Sequence, residues 1–139
     1  MQRILVVAFL LGNDLVYIPR VARMIERYGE NFLWRVLRED EIQYCKTHSG
    51  QRKPLENMVA ARLAVKESVA KALKTGLNGL GYGEGIAWKD IQICSRYQEA
   101  PTLNLHGRAK QCGEEQKISS WEISWSHDEA YAMATVIAW

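Results

Sequence analysis

One predicted helix combines an acid and two lysines in a pattern that suits phosphate chemistry. Glu67, Lys71 and Lys74 recur at intervals of three or four residues, so on a helix they share one face. Ala60 and Ala64 are the small residues of that face, and we expect them to leave room for a ligand. A carboxylate beside two amines suits an Mg²⁺-bound phosphate ester. The same spacing also fits an ordinary Glu67–Lys71 ion pair on a solvated face.

A second acid lies near the N-terminus. The apolar run Ile4–Leu11, followed by Gly12, predicts a buried strand. The run is shorter than the roughly 20 residues of a membrane helix, and it lacks the small-residue cleavage site of a signal peptide. Asp14 is therefore expected at or near the strand end, where an acid among apolar neighbours is costly unless it is paired or binds a metal. A turn aspartate bonded to its local backbone is the alternative.

These two carboxylates, one from a strand and one from a helix, favour Mg²⁺ over zinc. Mg²⁺ takes one or two carboxylates and completes its shell with water and substrate phosphate. The three cysteines, Cys45, Cys94 and Cys112, are scattered without a Cys-x-x-Cys pair, which argues against a zinc site. Their odd number predicts free thiols in a reducing compartment, and hence a cytoplasmic protein.

Two motifs together resemble a known enzyme family. Residues 12–20 read Gly-Asn-Asp-Leu-Val-Tyr-Ile-Pro-Arg, and residues 62–76 read Arg-Leu-Ala-Val-Lys-Glu-Ser-Val-Ala-Lys-Ala-Leu-Lys-Thr-Gly. In this order and separation they resemble the holo-acyl-carrier-protein synthases of the 4′-phosphopantetheinyl transferase superfamily. Weaker similarities, at residues 32–45, 86–91, 103–107 and 124–132, extend the resemblance over nearly the whole chain.

The resemblance implies a definite reaction. Such enzymes transfer 4′-phosphopantetheine from coenzyme A to a serine of apo-acyl carrier protein, release adenosine 3′,5′-bisphosphate and require Mg²⁺. They belong to fatty acid biosynthesis and lipid metabolism. Such a transfer depends more on charge neutralisation and positioning than on covalent help from the protein.

The resemblance also implies roles for individual residues. Asp14 and Glu67 correspond to the metal ligands. Glu67 and Lys71 are the expected catalytic residues, and Lys71 contacts the coenzyme A phosphates and assists the leaving group. The base that activates the serine remains open between Glu67 and a water held by the metal. The remaining residues expected to bind coenzyme A are Lys74, Gly76 and His127.

A stripe of arginines predicts an acidic protein partner. Arg20, Arg23 and Arg27 follow helical spacing, and such a stripe attracts an acidic protein by electrostatic complementarity. The resemblance places Arg20 on the surface that docks the acyl carrier protein. A solvated helix face is the alternative. The net charge of +2 and the absence of a nucleic-acid motif give no support to nucleic-acid binding.

Length and composition predict one small domain over residues 1–139, and the 47% of hydrophobic residues argues against disorder. The resemblance and the predicted helices and strands imply an α+β fold. A mainly antiparallel sheet, as in the 4′-phosphopantetheinyl transferases, should pack against one long helix. The predicted helices are Pro19–Tyr28, Asn31–Val36, Glu39–Thr47, Leu55–Lys74 and Gly107–Glu115. The predicted strands are Ile4–Leu11, Ile91–Ser95, Thr102–Leu105, Trp121–Ser126 and Ala130–Ala138, the last of them central because both of its faces are apolar. The glycine-dense segment 77–85 is interpreted as a connection between helix and strand, with a loop that closes on the nucleotide as the alternative.

The sequence also raises the questions of assembly and of other functions. The resemblance implies a homotrimer whose active sites lie between subunits. Arg62 projects from an otherwise apolar helix face and needs an acid partner or a subunit seam. One alternative is a coenzyme A-binding module without transferase activity, which would tolerate loss of Asp14 or Glu67. The other is a module that binds only an acidic partner and would depend on Arg20 or Arg23 instead.

Overall fold

The structure, a computed structural model, describes residues 8–77, 85–96 and 98–139. It has the predicted α+β architecture. The helices are α1 (Ile18–Tyr28), α2 (Glu30–Val36), α3 (Glu39–His48), α4 (Leu55–Ala72) and α5 (Gly107–Glu115), with a 3₁₀ helix at Trp88–Asp90. The strands are β1 (Leu10–Tyr17), β2 (Ile91–Cys94), β3 (Thr102–Leu105), β4 (Trp121–Asp128) and β5 (Tyr131–Ala138). The predicted 77–85 connection falls largely on residues 78–84, outside the described ranges.

The strands of the described residues form two antiparallel sheets. The larger has the strand order β1-β5-β4, and the smaller is the β2–β3 hairpin. The central position predicted for the last strand is confirmed, because β5 pairs with β1 on one side and with β4 on the other. Helix α4 packs across the inner face of the larger sheet and contacts all three strands. This layer between α4 and the sheet forms the core that positions the site.

The predicted position of the first strand is wrong. Its pairing with β5 begins at Leu10 and continues to Tyr17, and residues 4–7 of the predicted strand lie outside the described ranges. Gly12, which we interpreted as a strand terminator, lies within β1. A Cβ there would lie 1.9 Å from the Ser68 carbonyl oxygen, so this glycine allows β1 and α4 to approach closely. Asp14 consequently lies in the middle of the strand rather than at its end.

The small residues of α4 have a different role from the one expected. Ala60 and Ala64 are both 0% exposed, so the sheet fills the space that we had assigned to a ligand. Ser68, one turn further along, donates its hydroxyl to the carbonyl oxygens of Ala64 at 2.7 Å and Ala134 at 3.2 Å. The small side chains therefore set the distance between helix and sheet.

The outer face of the larger sheet is apolar and open to solvent. Cross-strand neighbours on β1 and β5 supply most of it, and several of its side chains are about half exposed or more. A contiguous patch of this kind marks an interaction surface. Its members are Phe9, Leu11, Leu15, Tyr17, Tyr131, Met133, Ile137 and Trp139. No helix within the described residues is both long and apolar enough to cross a membrane.

Candidate active site

Asp14 and Lys71 meet between strand β1 and helix α4. Asp14 lies on the same face of β1 as the inward-facing Gly12 and Val16, so its side chain points toward the helix and is only 17% exposed. The Lys71 ammonium donates to Asp14 Oδ1 at 2.9 Å and to the Asn13 carbonyl oxygen at 3.0 Å. The long strand–helix contact therefore brings together two residues that lie 57 positions apart.

Glu67 lies one helical turn before Lys71 and lines the same cleft as Asp14. Burial raises the pKa of the Glu67 carboxyl, the negative charge of Asp14 raises it further, and Lys71 opposes both effects. The ion pair that Lys71 makes is with Asp14, so the interpretation as an ordinary Glu67–Lys71 helix pair is wrong. The two predicted acids and one lysine do converge.

Lys74 does not share the helix face of Glu67 and Lys71. Helix α4 ends at Ala72, and Lys74 has a left-handed backbone with a φ of 60°. The periodicity of the sequence continued past the point at which the helix stops. Gly76 follows as an exposed residue, and its carbonyl oxygen accepts a hydrogen bond of 2.8 Å from the Ile86 amide.

An apolar groove leads away from the two acids between α1 and α2. Its first part includes Val16, Val21, Met24, Phe32, Leu63 and Trp88, together with Arg20. It continues along Met24, Phe32 and Trp88 to Tyr28, Asn31, Arg35 and Val36. The groove thus connects the predicted metal ligands with the surface of α1. Sequence reasoning missed its aromatic walls, because they come from separate elements.

The predicted arginine stripe is exposed on α1. Arg20, Arg23 and Arg27 line a shallow depression together with Met24 and Glu26. Arg20 and Met24 also line the apolar groove. The stripe therefore borders the entrance to the acids, as a surface for an acidic partner should.

His127 lies in a different pocket, on the opposite edge of the sheet. This pocket, which we call the β4 pocket, contains Lys53 and Arg62 together with His127. The rings of Tyr44 and Trp125 contribute to its wall. The pocket also contains the Glu99 carboxylate, so two positive side chains and a histidine accompany one negative charge. Because the positive charge exceeds the negative, and two aromatic rings contribute to the wall, the pocket suits an anionic ligand with a flat ring system.

Arg62 is the most constrained residue of the β4 pocket. It is 2% exposed, and its guanidinium carbon lies 5.2 Å and 5.5 Å from the ring centroids of Tyr44 and Trp125. It donates to the Met58 carbonyl oxygen and the Ser95 hydroxyl, while its buried Nε has no hydrogen-bond partner among the residues that the structure describes. The expected internal acid partner is absent from the described ranges. In the sequence, the position of Arg62 on an otherwise apolar helix face was the feature that pointed to this part of the molecule.

The two acids fit a hard divalent cation. Within the described part of the chain, no group of three or more histidine, cysteine or acidic side chains is placed to hold a metal. Two carboxylates suffice for Mg²⁺, which keeps several water ligands. The Lys71 ammonium at Asp14 shows that oxygen atoms here already accept a cation. Burial, and after it the charge of Asp14, disfavours the Glu67 carboxylate and raises its pKa, and a bound metal ion would offset both effects.

Comparisons with known proteins show the family to which the chain is similar. Residues 10–136 match the model of the 4′-phosphopantetheinyl transferase superfamily. The chain is 44% identical to a holo-[acyl-carrier-protein] synthase of Gloeobacter violaceus over 126 residues, which cover 91% of this chain and 89% of the relative. A corresponding synthase of Herpetosiphon aurantiacus is 37% identical over 127 residues, with 91% and 94% covered.

Solved structures show the same similarity. The holo-[acyl-carrier-protein] synthase of Helicobacter pylori, in complex with coenzyme A, superposes with a TM-score of 0.74 and 30% identity, covering 93% of this chain and 99% of the other. The synthase of Neisseria meningitidis gives a TM-score of 0.77 at 28% identity, with 93% and 96% covered.

Proposed function

The chain belongs to the holo-[acyl-carrier-protein] synthases of the 4′-phosphopantetheinyl transferase superfamily, and from this premise we propose how its residues perform the reaction. The enzyme transfers the 4′-phosphopantetheine group of coenzyme A to apo-acyl carrier protein. A new phosphorus–oxygen bond forms with the carrier's serine, and the bond to the bridging pyrophosphate oxygen breaks. Adenosine 3′,5′-bisphosphate leaves, and the serine proton passes to a base.

Asp14 and Glu67 hold Mg²⁺ in this proposal. The observation that carries it is that both carboxylates line one cleft while the Lys71 ammonium, in the pocket next to it, is bonded to Asp14. When bound, the metal ion would neutralise pyrophosphate charge and so make the phosphorus easier to attack. Because only two carboxylates of the protein would bind the metal ion, coordination positions would remain for the substrate phosphate.

The transfer also needs a group that stabilises the departing bisphosphate and a base that accepts the serine proton. Lys71 is 54% exposed, so its long side chain can turn from Asp14 to a phosphate oxygen and stabilise the departing bisphosphate. The pKa of the Glu67 carboxyl is raised in the protein without a metal ion, and a bound Mg²⁺ would lower it again. Glu67 and a water molecule therefore both remain open as the base for the serine hydroxyl.

The nucleotide end of coenzyme A occupies the β4 pocket. Lys53, Arg62 and His127 offer positive or hydrogen-bonding groups for a phosphate, and the partnerless Nε of Arg62 needs an acceptor. Lys74 and Gly76 lie at the exposed end of α4, beyond Lys71. We propose that these two residues contact the pyrophosphate side of the same molecule.

The carrier protein docks on the arginine stripe. Acidic side chains of the carrier would pair with Arg20, Arg23 and Arg27, and this placement brings its serine to the adjoining groove. Electrostatic complementarity of this kind mainly increases the association rate and fixes orientation.

A homotrimer would join the two halves of the site. Asp14 lies on β1 and His127 on β4, which are the opposite edge strands of the sheet. The exposed apolar patch on the outer sheet face requires a cover, and a neighbouring copy would bring its β4 pocket toward the acids of the first. The cytoplasmic location and the role in fatty acid biosynthesis stay predictions.

Mass spectrometry of the carrier protein tests the proposal. Apo-acyl carrier protein incubated with the enzyme, coenzyme A and Mg²⁺ should gain one phosphopantetheine, and EDTA or Glu67→Gln should abolish the gain. Glu114→Gln, an exposed change of the same charge on α5, should leave it intact. Full transfer in EDTA, or by Glu67→Gln, would contradict the metal site. Coenzyme A binding without transfer by the unmodified enzyme would instead favour an inactive binding module.

A further inference from the structure

Lys66, the residue directly before Glu67, is completely buried. Its side chain is 0% exposed, and its ammonium lies 2.8 Å from Glu41 Oε1. It also donates to the carbonyl oxygens of Val36 at 2.9 Å and Trp88 at 3.1 Å. An ammonium has three hydrogens, and these three acceptors use all of them. The reaction itself gives this lysine no task.

Glu41 extends the contacts to other elements. It lies in the first turn of α3, and its Oε1 accepts a hydrogen bond of 2.8 Å from the Arg38 amide. Its Oε2 accepts one of 3.3 Å from the Ile93 amide on β2. Arg38 adds a parallel link, because its guanidinium donates to the Lys89 carbonyl oxygen at 2.7 Å. The buried pair thus joins the end of α2, the start of α3, the 3₁₀ helix and β2 to α4.

The carbonyl partners of Lys66 belong to the wall of the apolar groove. Trp88 lines both parts of the groove, and Val36 lines its outer part. Glu67, the next residue of α4, projects into the inner end. A single buried side chain therefore holds the aromatic wall at a fixed distance from the reactive acid.

Stability alone does not account for this arrangement. A buried ion pair loses the hydration of both ions, and well-packed apolar side chains often stabilise a fold equally well or better. What apolar side chains cannot supply is a bond to two specific carbonyl oxygens. The position of those carbonyls sets the width of the groove.

We propose that Lys66, held by Glu41, is a positioning residue that fixes the groove wall at Val36 and Trp88 relative to Glu67 and thereby determines the affinity for the carrier protein. The inference rests on the proposed docking of the carrier beside this groove. Coenzyme A, which we place in the β4 pocket, should be affected far less. The expected signature is a change in the KM for one substrate only.

The test uses the double variant Glu41→Gln/Lys66→Met in the full chain. It removes both charges together, so that neither ion is left unpaired, and the glutamine side-chain oxygen introduced by Glu41→Gln can still accept the hydrogen bond from the Arg38 amide. The KM for the apo-carrier should rise roughly tenfold, as expected for a misplaced binding surface. The KM for coenzyme A and the kcat at saturating carrier should stay within about twofold of the unmodified enzyme.

A destabilised control separates positioning from general loss of stability. Ile123→Ala lowers core packing on β4, at the far edge of the sheet from the groove. Both variants are assayed well below their unfolding temperatures. A carrier KM that is normal in the Ile123→Ala control and raised in the double variant supports the proposal. An unchanged carrier KM in the folded double variant, or an equal rise in both, overturns it.

A second variant decides the case in which the double variant does not fold. Arg38→Met removes only the partly exposed guanidinium bond to the Lys89 carbonyl oxygen, which is the parallel link to the same wall. It should raise the carrier KM about threefold, a smaller loss of preorganisation, and leave the coenzyme A KM unchanged. No change in the carrier KM here overturns the proposal. An unmodified enzyme that transfers nothing would refute the proposed function instead.

Discussion

Replacing Gly12 with alanine should separate Asp14 from Glu67, the two proposed metal ligands, without changing either side chain. A Cβ at Gly12 would lie 1.9 Å from the carbonyl oxygen of Ser68 and 3.0 Å from the amide nitrogen of Ala72. Both are backbone atoms of α4, so no side chain can rotate away. Ordinary van der Waals contact begins near 3.4 Å, so α4 must withdraw from β1 by roughly 1.5 Å if strand and helix stay rigid.

The displaced segment of α4 contains Glu67 and Lys71, the two residues to which we assign catalysis. Ser68 follows Glu67, and Ala72 follows Lys71, so the withdrawal moves both functional side chains away from Asp14. The Lys71–Asp14 bond of 2.9 Å would lengthen beyond hydrogen-bond range. A misplacement of about 1 Å costs on the order of 100-fold in rate, and overpacking costs about 1–3 kcal/mol of unfolding free energy. We expect kcat/KM for transfer to fall by about 100-fold in a chain that still folds.

Initial rates of carrier modification, followed by mass spectrometry, measure the first effect, and urea unfolding measures the second. Gly50→Ala is the matched control, because a Cβ there meets no atom within 4 Å; its rate and stability should be normal. The reasoning is refuted if Gly12→Ala transfers phosphopantetheine at the unmodified rate, or if the Gly50→Ala control loses activity to the same extent.

Three other perturbations test separate parts of the site. Glu67→Gln should stabilise the fold at neutral pH. The pKa of Glu67 is raised in the folded state, so its ionisation lowers the free energy of unfolding. This loss is absent below the unfolded pKa of about 4.3 and grows as the pH rises through the folded pKa. Thermal unfolding of both proteins from pH 4 to 8 checks this, and a stabilisation of the variant that is largest at pH 4 would contradict it. Arg23→Glu should raise the KM for an acidic carrier by about tenfold with kcat unchanged, and should weaken the salt dependence of that KM. Steady-state kinetics at two ionic strengths measure both effects. An unaltered KM would show that docking does not depend on this charge. Leu11→Glu places a charge on the outer sheet face, where Leu11 is 64% exposed, and should convert a trimer to monomers and abolish transfer. Sedimentation velocity alongside the activity assay decides, and active monomers would refute the intersubunit site.

Local signals in the sequence were sufficient for most secondary structure. The bounds of β3 and α5 were predicted to the residue, and α4 was predicted within two residues at its end. These elements depend on interactions between near neighbours, such as apolar periodicity and turn residues, which a sequence displays directly. The convergence of Glu67 and Lys71 on one helix face followed from the same periodicity.

Contacts between distant elements could not be predicted in this way. Gly12 looked like the end of a strand, because a glycine that terminates pairing and a glycine that admits a helix have the same local signal. Lys74 continued the helical spacing although α4 stops at Ala72. The partners of Lys66 come from three other elements, and nothing in the local sequence identifies them.

The sequence by itself determined the chemical inventory, which comprises two acids, a lysine on the same helix as one of them, an arginine stripe and the two motifs that resemble the synthases. The tertiary structure decided which of these groups meet. It paired Lys71 with Asp14, closed the helix face of Ala60 and Ala64 against the sheet, and placed His127 on the edge strand opposite the acids. The physical reason is that residue types and helical periods are properties of short segments, whereas burial, pKa shifts and shared pockets arise only when distant segments exclude water from one another.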